Sequence, residues 1–118
     1  MLTQAQLTGP SLPQAHFPPG SLGRFTPLEY GYYYGPSPGL VLVKAPGHTP
    51  GSQMIYARLR SGREYLFIGD IAWTRANITT LVSRPWFVSR VILKEDAAAV
   101  AAQLRVLHQL AENRAQPI

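Results

Sequence analysis

The stretch "LVLVKAPGHTPGSQMIY", residues 40–56, decides how the chain reads. A short β-branched run breaks at Pro46, a histidine follows among two prolines and two glycines, and apolar residues resume at Met54. "LVLVK" suits a strand, because branched side chains pack well on a pleated surface. "APGHTPGS" cannot continue it, since proline removes a ladder donor and glycine favours a turn. His48 therefore stands on a turn at a strand end, where a scaffold holds a polar side chain firmly while its tip stays accessible.

Working outward, "SQMIYARLR" (52–60) alternates in part and "REYLFIGDI" (63–71) is a further apolar run, with Ser61 and Gly62 suited to a hairpin turn between them. Three consecutive strands are expected from Gly39 onward. Asp70 ends the third of them as His48 follows the first. The stretch 75–96 is mixed: Pro85 interrupts it, and its Thr, Val and Ile residues weaken a helix. "EDAAAVAAQLRVLHQLAENRA" (95–115) is the clearest helix, with Glu95 and Asp96 where acids favour a helix start and Val100, Leu104, Leu107 and Ala111 spaced as one inward face. His108 flanks that face and reads as a half-buried or surface histidine. Pro117 ends the helix, and Ile118 stands where a further strand would begin.

Residues 1–38 form an irregular segment rich in Pro, Gly and Tyr, with no sustained period. Tyrosines such as those of "EYGYYYG" (29–35) are expected to cover a core with their rings and keep their hydroxyls wet. Residues 39–118 are expected to form the packed domain, α+β in class. Neither an internal repeat nor a regular polyproline pattern is present.

Composition narrows the function. A chain of 118 residues with 46% hydrophobic and 14% charged residues can bury a modest single core. Because there is no cysteine, disulfides and thiolate metal sites are excluded, a metal would need nitrogen and oxygen ligands, and a cytoplasmic location is expected. A formal charge of +5 could steer anionic partners, yet the basic residues are scattered from Arg24 to Arg114, so no nucleic-acid partner is expected. The longest apolar runs fall far short of the ~20 residues of a membrane span, so no membrane partner is expected either.

An imidazole and a carboxylate suit zinc, iron or manganese, and a carboxylate has two oxygens with which to bridge two ions. The same two residues also read as an exposed turn histidine and a turn-forming aspartate in "GDIAW". Trp73 and Trp86 read as core or partner-facing anchors. Arg84, before Pro85, can pair with an acid or with a substrate carboxylate. His16, in "QAHFPPG", lies in an irregular segment and would reach a metal only through a coincidence of tertiary structure.

"PGHTPGSQ" (46–53), followed at the end of a later strand by "YLFIGD" (65–70), resembles the second half of the metallo-β-lactamase fold superfamily of metallo-hydrolases. The resemblance spans about residues 39–118. It implies part of an αββα sandwich, about one half of it, with three strands and a C-terminal helix. It also implies that His48 is a metal ligand and that Asp70 is the aspartate bridging two zinc ions in two-metal members. Gly47 and Gly51 would let the loop turn closely, Pro46 and Pro50 would stiffen it, and Thr49 or Ser52 would fix it by local hydrogen bonds.

The superfamily's His-x-His-x-Asp-His loop does not occur in this sequence, and its last histidine would follow a strand beginning near Ile118. The chain is therefore expected to be a truncated part of a metal-dependent hydrolase that cleaves an ester, thioester, lactone or phosphoester by metal-bound hydroxide. As an isolated polypeptide it is expected to be inactive and to bind zinc weakly or not at all. A complementing N-terminal half, or a homodimer formed through the apolar faces of "GLVLV" and "YLFI", would replace the missing layer. The alternative is a metal-free protein-interaction module or decayed enzyme that uses its Tyr-rich opening and its Trp residues.

Overall fold

The computed structural model of the chain describes residue 20 and residues 22–24 and 26–113. Its elements begin with a 3₁₀ turn at Leu22–Arg24. Four strands follow: β1 (Tyr33–Ser37), β2 (Leu40–Lys44), β3 (Gln53–Arg58) and β4 (Glu64–Phe67). After a 3₁₀ turn at Gly69–Ile71 come the short helix α1 (Arg75–Thr79), a π-helical turn at Val88–Ile92 and the long helix α2 (Ala97–Glu112). Among the described residues there are two compact units. One holds the residues up to Ala45 together with Thr49–Phe67, the other Pro46–His48 together with the residues from Ile68 onward.

The first unit is an antiparallel sheet in the order β1-β2-β3-β4. Its register places Leu42 opposite Ile55, which in turn lies opposite Phe67, and runs Val41, Tyr56 and Leu66 along the next row. Since side chains alternate between faces, these two rows lie on opposite sides of the sheet. Leu42 and Met54 are buried, whereas Ile55, Tyr65 and Phe67 remain partly open to solvent.

The turns follow from local chemistry. Pro38 and Gly39 join β1 to β2, with Gly39 at φ +79°, and a Cβ there would stand 2.6 Å from the Arg58 carbonyl oxygen. Arg58 N–H donates to the Gly39 carbonyl at 2.7 Å, so only glycine fits this approach. Ser61 and Gly62 make the β3–β4 turn as expected, closed by Leu59 N–H on the Arg63 carbonyl at 2.8 Å.

The sheet has one strand more than the three expected, and that strand, β1, lies inside the stretch read as irregular. Gly35 and Pro36 hide it in the sequence. The structure tolerates them because β1 is an edge strand and the β1–β2 register slips between Tyr34 and Ser37. Two of the tyrosines here are not a cover: Tyr32 is 88% and Tyr33 72% exposed. Tyr30, half-buried, donates its hydroxyl to Gln53 Oε1 at 2.5 Å. Burial, helped by the neighbouring Glu29 charge, pushes that phenol's pKa above its ordinary value.

The second unit is built on α2. Asp96 caps it, its carboxylate accepting from the Ala98 and Ala99 amides at 3.0 Å each. Val100, Leu104 and Leu107 are buried, as their spacing predicts. Buried Ile78 of α1 packs in the same unit, and His108 Nδ1–H donates to the Ile78 carbonyl at 2.9 Å. That bond accounts for His108 as a histidine of the packing. The stretch 75–96 is indeed mixed: α1, then a passage without regular secondary structure through Pro85, then the π turn, whose Leu93 N–H reaches the Val88 carbonyl at 2.9 Å. His16, the residues of 1–38 not described and the "AQPI" ending lie outside the described residues.

Candidate metal centre

His48 follows β2 on a loop whose course depends on Gly47. That glycine has φ +149°, and a Cβ on it would meet the Val100 amide nitrogen at 2.9 Å. Its carbonyl accepts the Asp96 amide at 2.9 Å, so the histidine's backbone is fastened directly to the start of α2. Further along the same loop, Thr49 N–H donates to Ser52 Oγ at 3.0 Å, and the Thr49 and Ser52 hydroxyls lie 2.9 Å apart. These are the local hydrogen bonds expected of that motif.

Asp70 lies in the 3₁₀ turn after β4, held by its buried neighbour Ile71. Its carboxylate is 68% exposed, while the His48 side chain is only 8% exposed. The structure brings the two together: His48 Nε2 is 3.7 Å from Asp70 Oδ2, beyond hydrogen-bond reach. The other imidazole nitrogen, Nδ1, is 3.2 Å from Glu95 Oε2.

Glu95 joins this cluster although its place in the sequence points only to an acid favouring the helix start. Asp96 alone performs the capping, and the Glu95 side chain, 1% exposed, belongs to a buried polar cluster. Arg84 Nη1 donates to Glu95 Oε2 at 2.5 Å, Ser89 Oγ–H donates to Glu95 Oε1, and Arg84 Nη2 donates to the Asp70 carbonyl. Burial alone would push the Glu95 carboxyl pKa up. The hydrogen bonds from Ser89, His48 and Arg84, with the Arg84 charge, outweigh it and hold the group below the usual carboxylate range.

Arg84 thus pairs with a protein acid, which decides between the two roles its sequence left open. Its guanidinium carbon also lies 4.6 Å from the Trp73 ring centre, a cation–π contact, and its buried Nε has no hydrogen-bond partner among the described residues. Trp73 and Trp86 themselves are 54% and 71% exposed, so neither is a core anchor.

The donor set can be tested against zinc. Nitrogen and oxygen ligands lie 2.0–2.2 Å from the ion, so two donors of one ion are separated by at most about 4.3 Å. The 3.7 Å between His48 Nε2 and Asp70 Oδ2 falls within that span, and the Nδ1 contact to a carboxylate is the usual arrangement behind a ligating imidazole. The pair fits as part of a site. Among the described residues, no group of three His, Cys, Asp or Glu side chains gathers as a metal cage.

No protein-family model matches the chain, and no curated protein does. Solved structures do. An N-acyl homoserine lactone hydrolase with its product N-hexanoyl-L-homoserine at the catalytic metal centre superposes with a TM-score of 0.68, at 18% identity, over 99% of this chain and 43% of its own. A variant of AiiA from B. thuringiensis, with N-decanoyl-L-homoserine at its active site, gives 0.69 at 18% identity over the same shares. An enzyme studied for the indirect contributions of mutations to a new function gives 0.55 at 22% identity, over 73% of this chain and 31% of its own.

These likenesses define a class of fold: the chain carries part of the metallo-β-lactamase fold, as the "PGHTPGSQ" and "YLFIGD" motifs led one to expect. Its particular structural neighbours include lactone hydrolases, and the chain spans less than half the length of each.

Proposed function

We propose that this chain supplies the His48 and Asp70 portion of a metal-dependent hydrolase of lactones or related esters. The single observation that carries this reading is the convergence of His48 Nε2 and Asp70 Oδ2 at 3.7 Å, with the far imidazole nitrogen on a buried carboxylate. The fold shared with metal-centred lactone hydrolases supports it. In this reading the sheet and α2 are about half of an αββα sandwich, the remaining ligands come from polypeptide outside the described residues, and zinc is the metal.

When bound, zinc supplies a Lewis acid that acidifies water and polarises a carbonyl oxygen. His48 contributes a neutral nitrogen donor from a nearly buried position. Asp70 contributes an exposed carboxylate whose two oxygens can reach one ion or two. The Arg84–Glu95 pair keeps the first donor aligned and anchors the backbone of the second.

The isolated chain is then a weak zinc binder without lactonase activity. Zinc titration followed by NMR tests this: the His48 ring and Asp70 signals should shift together and saturate, and His48→Ala should abolish the response. Zinc-induced shifts that bypass both residues, or that survive His48→Ala, sink the reading. A second reading, a metal-free interaction module, is favoured by the exposure of Trp86 and Tyr32. A melting temperature unmoved by excess zinc and by chelator would support it instead.

A further inference from the structure

We infer that Glu95 is the positioning residue of the His48 site: its carboxylate accepts the hydrogen bond of Nδ1–H, fixes one imidazole tautomer, and leaves the Nε2 lone pair turned toward Asp70. The inference deepens the metal-centre reading and rests on it for its use, though not for its test.

The argument begins with donor counting. A neutral imidazole carries one N–H, and an ionised carboxylate can only accept. With Nδ1 3.2 Å from Glu95 Oε2, the proton sits on Nδ1 and Nε2 is left as the basic nitrogen. Nε2 faces Asp70 Oδ2 at 3.7 Å, too far for that carboxylate to accept a hydrogen bond from the competing Nε2–H tautomer.

Glu95 cannot turn away from this task. Ser89 holds one oxygen and Arg84 the other, and the side chains of Glu95 and Arg84 are 1% and 4% exposed. Arg84 also grips the main-chain carbonyl of Asp70. One buried ion pair therefore sets the orientation of the imidazole and the location of the aspartate backbone together. A pair that served stability alone would be a poor choice, because burying two charges is often no better than packing two apolar side chains.

The test uses the full chain without metal, with ¹⁵N-labelled imidazoles read by long-range ¹H–¹⁵N correlation. The wild type should show His48 as the single Nδ1–H tautomer. Glu95→Gln should keep it, because donor-only Arg84 obliges the amide oxygen to stay beside Nδ1. Glu95→Leu should release it into a mixture of tautomers. Since Glu95→Leu strands a buried Arg84, the double variant Glu95→Leu/Arg84→Met, which replaces the pair by apolar side chains, provides the folded comparison. His48 remaining a single Nδ1–H tautomer in that folded double variant overturns the inference.

Zinc affinity gives a second readout, expected to fall roughly 10- to 100-fold in the variants lacking an acceptor at position 95 and to stay near wild type in Glu95→Gln. Equal affinity in all of them also overturns it. If wild type takes up no zinc at His48, the metal reading falls, and the tautomer readout still decides the role of Glu95.

Discussion

The sheet unit and the helical unit bury different things. In the sheet unit, Leu42, Ala45 and Met54 are buried, while Tyr33 and Phe67 stand 72% and 58% exposed. In the unit built on α2, Ile71, Ile78, Val100, Leu104 and Leu107 are all buried, and so are the polar Ser89 and Glu95. The sheet's backbone ladder asks little of residue identity, since every residue but proline supplies both its donor and its acceptor. The helical unit is ordered by particular side chains, and His48, although it follows a strand in the sequence, belongs to that unit. Candidate chemistry sits where identity at each position matters most.

That contrast can be broken most directly by truncation. Leu104→Ala, at a residue 3% exposed, should cost about 2–5 kcal/mol, whereas Phe67→Ala in the sheet should cost no more than about 1 kcal/mol, since over half of that ring is already in water. Urea unfolding followed by far-ultraviolet circular dichroism compares the two, and equal losses would refute the division. Next in size is Gly47→Ala. At φ +149° and with the Val100 amide nitrogen 2.9 Å from the new Cβ, it should cost about 1–3 kcal/mol by the same measurement. A neutral result would mean that the His48 loop is not fastened to α2. Within the helical unit the smallest effect belongs to Asp96→Ala, which removes the cap of α2 and should cost about 0.5–2 kcal/mol, with Asp96→Asn recovering most of it. If Asp96→Ala changes nothing, the helix start is held by the Gly47 carbonyl alone.

Helix α2 was legible because its two signals are local: an acid at the cap and apolar residues at helical spacing. Strands β2 to β4 were legible for a similar reason, since branched runs and a Ser-Gly turn need no distant information. Strand β1 was not. Exposed along nearly its whole length, it has no alternation to reveal it, and Pro36 argues against a strand unless the edge position is known. The site divides in the same way. His48 and Asp70 stood out because each stands where a strand gives way to a turn, and the structure places them together. Glu95 did not, because its neighbour Asp96 already explains an acid there, and nothing nearby points to a histidine 47 residues earlier. Arg84 was readable as half of an ion pair, with its partner unspecified.

The same separation has a kinetic consequence. The Gly47–Asp96 hydrogen bond and the His48–Glu95 contact close loops of nearly fifty residues, and each such closure carries an entropy cost that a hairpin or a helix turn does not. Contacts of that span are expected to form late, after the β3–β4 hairpin and α2 have local structure of their own. Changes at Gly47 or Glu95 should therefore appear chiefly as faster unfolding, with the folding rate little altered. The imidazole acquires its orientation only when the chain has closed upon itself, so this corner of the molecule reports on completion of the fold.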